Sequence, residues 1–122
     1  MPEKQYIIPL SEVDRMTVRQ DRVGYKVLSF SVRLEVLINS RWRKAMRFDS
    51  ADGHPHRHVF YPDGEEYREN MSANDNNGAF TQAQVFVRKS FQQTHERYKL
   101  LLERMYNERS IYREERKTIT RI

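Results

Sequence analysis

The chain has 122 residues, 38% hydrophobic and 32% charged, with 22 Lys/Arg, 17 Asp/Glu and a formal net charge of +5. That suffices for one domain with a modest core and falls short of two. The lack of cysteine excludes disulfides, thiolate metal sites and cysteine nucleophiles, and no run approaches the ~18 apolar residues of a membrane span.

Behind the opening Met1-Pro2-Glu3-Lys4 there is no apolar run of signal-peptide length, so a cytoplasmic protein with no membrane partner is expected. Residues 1–87 carry 12 Lys/Arg and 12 Asp/Glu; residues 88–122 carry 10 and 5, which places the whole surplus at the C-terminal end. Such a segment attracts nucleic acid or an acidic protein, or is simply a solvated helix face and tail.

Residues 1–24 read as a leader. Gln5 to Pro9 suits a short edge strand, ended by Pro9 because proline cannot donate to a ladder. Ser11 to Met16 suggests a brief helical turn, and Gln20-Asp21-Arg22 a polar connection. From Tyr25 to Ile38 the pattern sharpens. Leu28, Phe30, Val32, Leu34, Val36 and Ile38 alternate with polar Ser29, Ser31, Arg33 and Glu35, which describes a long half-buried strand with its even face inward. Alternation of that kind belongs to an antiparallel sheet with one wet face.

Asn39-Ser40 is a two-residue turn into a second strand, about Arg41 to Asp49. Strict alternation puts Trp42, Met46 and Phe48 on the core side and Arg41, Arg43, Arg47 and Asp49 on the open side, since unpaired buried charge is costly. Ser50 to Pro55 reverses the chain around Gly53. His56 to Tyr61 is a third strand, Pro62-Asp63-Gly64 a turn, and Glu65 to Arg68 a short fourth strand, so the sheet spans residues 25–69.

Residues 70–79 form a polar loop. The helix then opens on Thr81-Gln-Ala-Gln84, a capping box, with Phe80 and Val85 placed as a hydrophobic staple. Ala83, Val87, Phe91, Tyr98, Leu101, Leu102 and Met105 continue an apolar stripe to about Arg109. Roughly 28 helical residues make ~42 Å at 1.5 Å per residue, longer than a small sheet can cover, so the far end should project or meet a second copy. Residues 110–122 read as a fraying basic tail.

The chemistry-bearing candidates concentrate in one hairpin. His54, His56 and His58 alternate, and on one strand face successive imidazoles stand about 6.5–7 Å apart. A His-x-His pair can hold a metal when Asp49, Asp52 or His95 completes the set. Without a metal, His56 and His58 could act as general base and acid on a phosphodiester, with Arg57, Arg47 or Arg43 steadying the phosphate and Tyr61 positioning it. The plain alternative is that both histidines are ordinary strand residues. His95, beside the helix stripe, reads as a packed, hydrogen-bonded side chain, and Trp42 as core.

The run from Arg41 to Gly64 resembles small uncharacterised prokaryotic proteins with an Arg-Tyr-Asp-x-Ala-His-Gly-x-Pro-His-x-His hairpin and a closing Asp-Gly turn. In looser form it is similar to TumE-type proteins, toxins of bacterial toxin–antitoxin pairs. The resemblance covers about residues 26–68, with helix 80–105 agreeing in position. Asp49, Gly53, Pro55, His56 and His58 match, whereas Phe48 replaces the usual tyrosine and Asp52 stands where histidine is common. It implies a toxin-like or accessory cytosolic protein acting on RNA or bound to a partner.

The expected architecture is α+β: an antiparallel meander of about four strands packed against one long C-terminal helix. The expected function is action on RNA, with His56, His58, Asp49 and Arg57 as catalytic candidates and Arg43, Arg47 and Tyr61 as substrate-binding candidates, and with no cofactor. The rivals are a non-catalytic module that assembles as a homodimer and a His-x-His metal binder. The choice turns on parity. If Phe60 faces the core, His56 and His58 are structural; if Val59 and Tyr61 do, the histidines join the open face.

Overall fold

The computed structural model describes residues 3–120, with side chains as far as residue 109. Six strands precede one helix: β1 (Lys4–Pro9), β2 (Asp14–Val23), β3 (Lys26–Ile38), β4 (Arg41–Asp49), β5 (His56–Phe60), β6 (Glu66–Asn70) and α1 (Asn76–Thr120). The strands form one antiparallel meander in the order β1-β2-β3-β4-β5-β6. The helix lies on one face, chiefly over β3. The α+β class and the long C-terminal helix are as expected, but the sheet has six strands rather than about four.

The two extra strands come from the leader. Residues 11–16 make no helical turn, and Gln20 to Arg22 is no connection: residues 11–13 bend, and β2 starts at Asp14 and runs on through Arg22. Its inward positions are Asp14, Met16, Val18 and Gln20, all buried. The first and last are polar, which hides a strand alternation in the sequence. Each is satisfied by tertiary partners. Asp14 accepts from the Ser11 hydroxyl at 2.8 Å and from His95 Nδ1 at 2.7 Å, while the Gln20 amide donates to the Tyr6 hydroxyl at 3.2 Å. His95 is thus the packed, hydrogen-bonded residue expected, and it ties the helix to β2.

From Phe30 to Ile38 the even face of β3 is inward as expected, but Leu28 is 45% exposed and Val27 is buried in its place, because the β2–β3 register shifts beside Asp21/Arg22. Phe30, Val32, Leu34 and Val36 are fully buried against Ala79, Phe80, Ala83, Val87 and Leu102 of the helix. Each such side chain contributes about 1.5–3 kcal/mol by leaving water. Asn39 and Ser40 both take positive φ, 54° and 63°, the type I′ geometry whose twist matches a hairpin.

Strict alternation fails in β4. A bulge beside Leu34/Glu35 inserts one residue, so Ala45 and Met46 are both buried. Beyond the bulge the faces exchange: Arg43 pairs with inward Val36, and Trp42 pairs with Leu37 on the open side. Trp42 is therefore not core. It is 37% exposed, with the Arg15 guanidinium 4.1 Å from its ring centre.

The helix also begins earlier than the capping box at Thr81 suggests. Asp75 caps it, accepting from Gly78 N at 2.7 Å. Asn77 accepts from Val27 N at 2.8 Å and donates to Tyr25 O at 2.7 Å, and Asn76 donates to Leu28 O at 2.9 Å. The asparagine-rich stretch, polar in sequence, is held by the backbone of β3. Val85 is 44% exposed, so no staple forms. Replacing Asp75 with alanine should lower stability by about 1 kcal/mol, as for a lost N-cap, read as a lower urea midpoint.

The buried stripe runs Ala79, Phe80, Ala83, Val87, Thr94, Tyr98, Leu102, with Met105 half-covered. The helical backbone continues to Thr120, about 22 Å further along its axis at 1.5 Å per residue. The side chains of the expected basic tail, residues 110–122, lie outside those described. Among the described residues no helix is long and apolar enough to cross a membrane.

Candidate functional site

Residues paired across an antiparallel ladder point to the same side of a sheet. Asp49 pairs with His56 and then Asn70; Arg47 pairs with His58 and then Arg68; Phe60 pairs with Glu66. Met46, which packs under the helix, pairs with Val59. Parity is thereby set. Val59 faces inward, 5% exposed, and His56, His58 and Phe60 stand on the face opposite the helix.

The histidines are nonetheless covered, His56 at 8% and His58 at 6% exposure. Their rings belong to a column down the hairpin: His54 to His56 at 6.0 Å, His56 to His58 at 6.3 Å, and His58 to Phe60 at 6.1 Å with the last two rings parallel within 5°. Longer side chains from both neighbouring strands close over this column.

His56 and His58 each have charged neighbours. His58 Nε2 lies 3.2 Å from Asp49 Oδ2, and its Nδ1 lies 2.5 Å from Glu66 Oε1. Asp49 also accepts from Arg47 Nε at 2.8 Å and from Ala51 N at 3.1 Å. Arg68 Nη2 sits 3.0 and 3.3 Å from the two ring nitrogens of His56 and 3.2 Å from Asp52. One nitrogen that close to both ring nitrogens lies over the ring, not in its plane, because the two lone pairs diverge. Asp52 is held for this by a left-handed backbone, φ 62°, beside Gly53 at φ 82°. His54 stands outside the strand, its Nε2 3.3 Å from Met71 O.

Around the column lies a field of cations and rings. Arg15 and Arg33 flank Glu35 at 3.0 and 3.7 Å. Lys44 Nζ is 4.4 Å and Arg47 Cζ 5.5 Å from the Phe60 ring centre. The open face therefore carries Arg15, Arg19, Arg33, Lys44, Arg47 and Arg68, interleaved with Trp42 and Phe60.

The seven site residues singled out in the sequence divide between the two faces. His56, His58, Asp49 and Arg47 come together. Arg57 does not join them: it pairs with inward Phe48, bonds Glu69 at 2.7 Å and lies 5.3 Å from the Phe86 ring on the helix side. Arg43 also points to the helix side because of the bulge, donating to Ile38 O at 3.3 Å. Tyr61 lines a cleft beside the helix. Glu66 and Arg68, the closest partners of the histidines, were missed. The Pro62-Asp63-Gly64 turn carried the signal, since counting outward from it pairs Glu66 with Phe60 and Arg68 with His58, on the histidine face. No three His, Asp or Glu side chains converge on a metal position among the described residues. The Arg68 guanidinium over His56 disfavours a second cation there.

These features define an α+β protein whose antiparallel meander is covered on one face by a helix and carries a histidine–arginine–carboxylate cluster on the other. Residues 1–104 match the model of a family described as a domain of unknown function, DUF7718, and the chain belongs to that family. The match ends where the helix leaves the sheet. No curated protein and no solved structure matches the chain.

Proposed function

We propose that the open sheet face binds single-stranded RNA in the cytoplasm, with the histidine hairpin as its central scaffold. The observation that carries this reading is the pairing of open-face rings with cations: Arg15 over exposed Trp42 at 4.1 Å and Lys44 over half-buried Phe60 at 4.4 Å. Bases stack on aromatic rings and on guanidinium planes, and neighbouring cations meet the phosphates. Carboxylates at Glu35, Asp49 and Asp52 hold Arg15, Arg47 and Arg68 in place, which reduces the entropy lost on binding. His56, His58 and Asp49 serve here by fixing those arginines. Arg47, Arg33 and Lys44 contact phosphate. The looser resemblance of residues 26–68 to TumE-type toxin–antitoxin proteins, which implies RNA or a protein partner as the target, is in keeping with this reading and with a prokaryotic setting.

Binding is favoured over cleavage because both nitrogens of His58 face carboxylates and His56 lies beneath Arg68. His58 presents no free nitrogen for the proton transfers of in-line cleavage, and the Arg68 guanidinium over the His56 ring obstructs the approach of a substrate to it.

The test is fluorescence anisotropy with a labelled single strand of about 12 nucleotides, within the ~4–16 that a compact sheet-based site covers. Saturable binding should weaken with salt at a log–log slope of about −2 to −3.5, corresponding to roughly three to five phosphate contacts. Lack of saturation at low salt, or a slope near zero, overturns the proposal. Strand scission during the assay, abolished by His58→Ala in a folded protein, would instead establish His56 and His58 as the catalytic pair.

A second reading rests on the outer side and far end of the helix. Leu100 is 60% and Tyr106 46% exposed, on a helix that continues past its last core contact. A homodimer through this segment would cover both. Sedimentation equilibrium of the full chain against a Leu100→Glu/Tyr106→Glu variant tests it: a dimer that dissociates supports the reading, and a wild-type monomer at millimolar concentration rejects it.

A further inference from the structure

On the helix side of the sheet, where β5 and β6 extend past the helix, lies a cleft of about 440 Å³. Its position follows from helical spacing. Phe86, Ser90, Thr94 and Arg97 recur every three or four residues and so turn one side of α1 toward β5. From the sheet come Arg57, Val59 and Tyr61, with Tyr67 at the rim.

Arg57 is the unusual member. Its Nη2 donates to Glu69 at 2.7 Å, but its Nε is buried with no hydrogen-bond partner among the described residues. A buried donor on a charged group that lacks an acceptor is unfavourable, and native structures rarely leave one. A quarter of the Arg57 side chain still reaches the surface, so a modest rotation toward the cleft would bring that donor to an incoming acceptor. Glu69 is fixed from a second side, accepting from the Tyr67 hydroxyl at 3.2 Å. Arg97 is the other charged residue lining the cleft, so two guanidiniums stand against the one carboxylate of Glu69.

The walls say what the anion is attached to. Phe86, Tyr61 and Tyr67 offer aromatic surface, Met46 and Val59 an apolar floor, and the volume is in the ~300–1,000 Å³ range of small-molecule sites. We propose that this cleft binds a small molecule with a phosphate or carboxylate head on a flat aromatic body, the head meeting Arg57 and Arg97 and the body lying between Phe86 and the tyrosines. The site is on the opposite side of the sheet from the RNA-binding face and does not depend on that reading.

Amide NMR of the full chain tests it, titrating phenyl phosphate and benzoate, with phenol and inorganic phosphate as half-ligands. At least one aromatic anion should give saturating shifts at Arg57, Val59, Ser90 and Thr94 with Kd below about 1 mM, and each half-ligand should bind about tenfold more weakly. Whichever anion binds more tightly identifies the head group. Arg97→Gln, a change at the helix surface, should weaken binding about tenfold while the spectrum remains that of the folded protein. The proposal is overturned by no saturation with either anion at about 5 mM, by phenol or inorganic phosphate binding equally well, by shifts centred on Trp42 and Phe60, or by unchanged affinity in Arg97→Gln.

Discussion

Alanine at His58 should lower the stability of the fold by about 3 kcal/mol, the combined cost of removing a buried ring from its packing and a hydrogen-bond partner from buried Asp49. His58 is 6% exposed and lies between Asp49 and Glu66, and Asp49 is itself buried. Without the imidazole, two carboxylates lose their common partner, and Phe60 loses the parallel ring beside it. With m near 2 kcal/mol/M, the urea midpoint should fall by roughly 1.5 M. A double-mutant cycle with Asp49→Asn should return a coupling of about 1–2 kcal/mol, because neighbours in one polar network are not additive. A His58→Ala protein that unfolds at the wild-type urea concentration would mean the ring is not structural. Residues kept for catalysis are often neutral or even unfavourable to stability, so that outcome would restore the proton-transfer role.

Replacing Trp42 and Phe60 together by alanine should weaken single-stranded RNA binding about 100-fold, at ~1–3 kcal/mol for each stacked base lost. The salt dependence should stay as in the wild type, because no phosphate-contacting cation has been removed. Charge and stacking thereby separate. Lys44→Ala with Arg33→Ala should flatten the slope by about 1–1.5 units, at ~0.7 per contact, while leaving base stacking in place. If the aromatic double variant binds as the wild type does, the rings are not a platform and the face is better assigned to a protein partner. The affinity is compared at a urea-free temperature where each variant is folded, since Phe60 also supports His58.

The protein therefore presents two chemically distinct faces, and the hairpin Asp49–Phe60 contributes to both. Odd and even residues of one strand serve opposite sides: His56 and His58 go to the open sheet, Arg57 and Val59 to the cleft under the helix. Three consecutive residues, His56-Arg57-His58, look like one basic cluster in sequence and are divided by the pleat of the strand.

What the sequence determined by itself was local. The alternation from Phe30 to Ile38, the Asn39-Ser40 turn and the stripe from Ala83 to Met105 are each written in neighbouring residues, because a strand or helix face repeats at a fixed short period. His95 as a packed residue was legible for the same reason. The tertiary structure decided what depends on distant partners. Asp14 and Gln20 became inward strand positions only because His95, Ser11 and Tyr6 satisfy them, and Asn76 and Asn77 became helix only because the backbone carbonyls of Leu28 and Tyr25 accept their amides. A single inserted residue at Ala45 moved Trp42 to the open face and Arg43 away from it, since a one-residue slip exchanges every side chain between the two faces. The same arithmetic governs the histidines. Their alternation was visible in sequence, but which face they took was set by Met46 pairing with Val59 beneath a helix that begins only 17 residues further on, at Asn76.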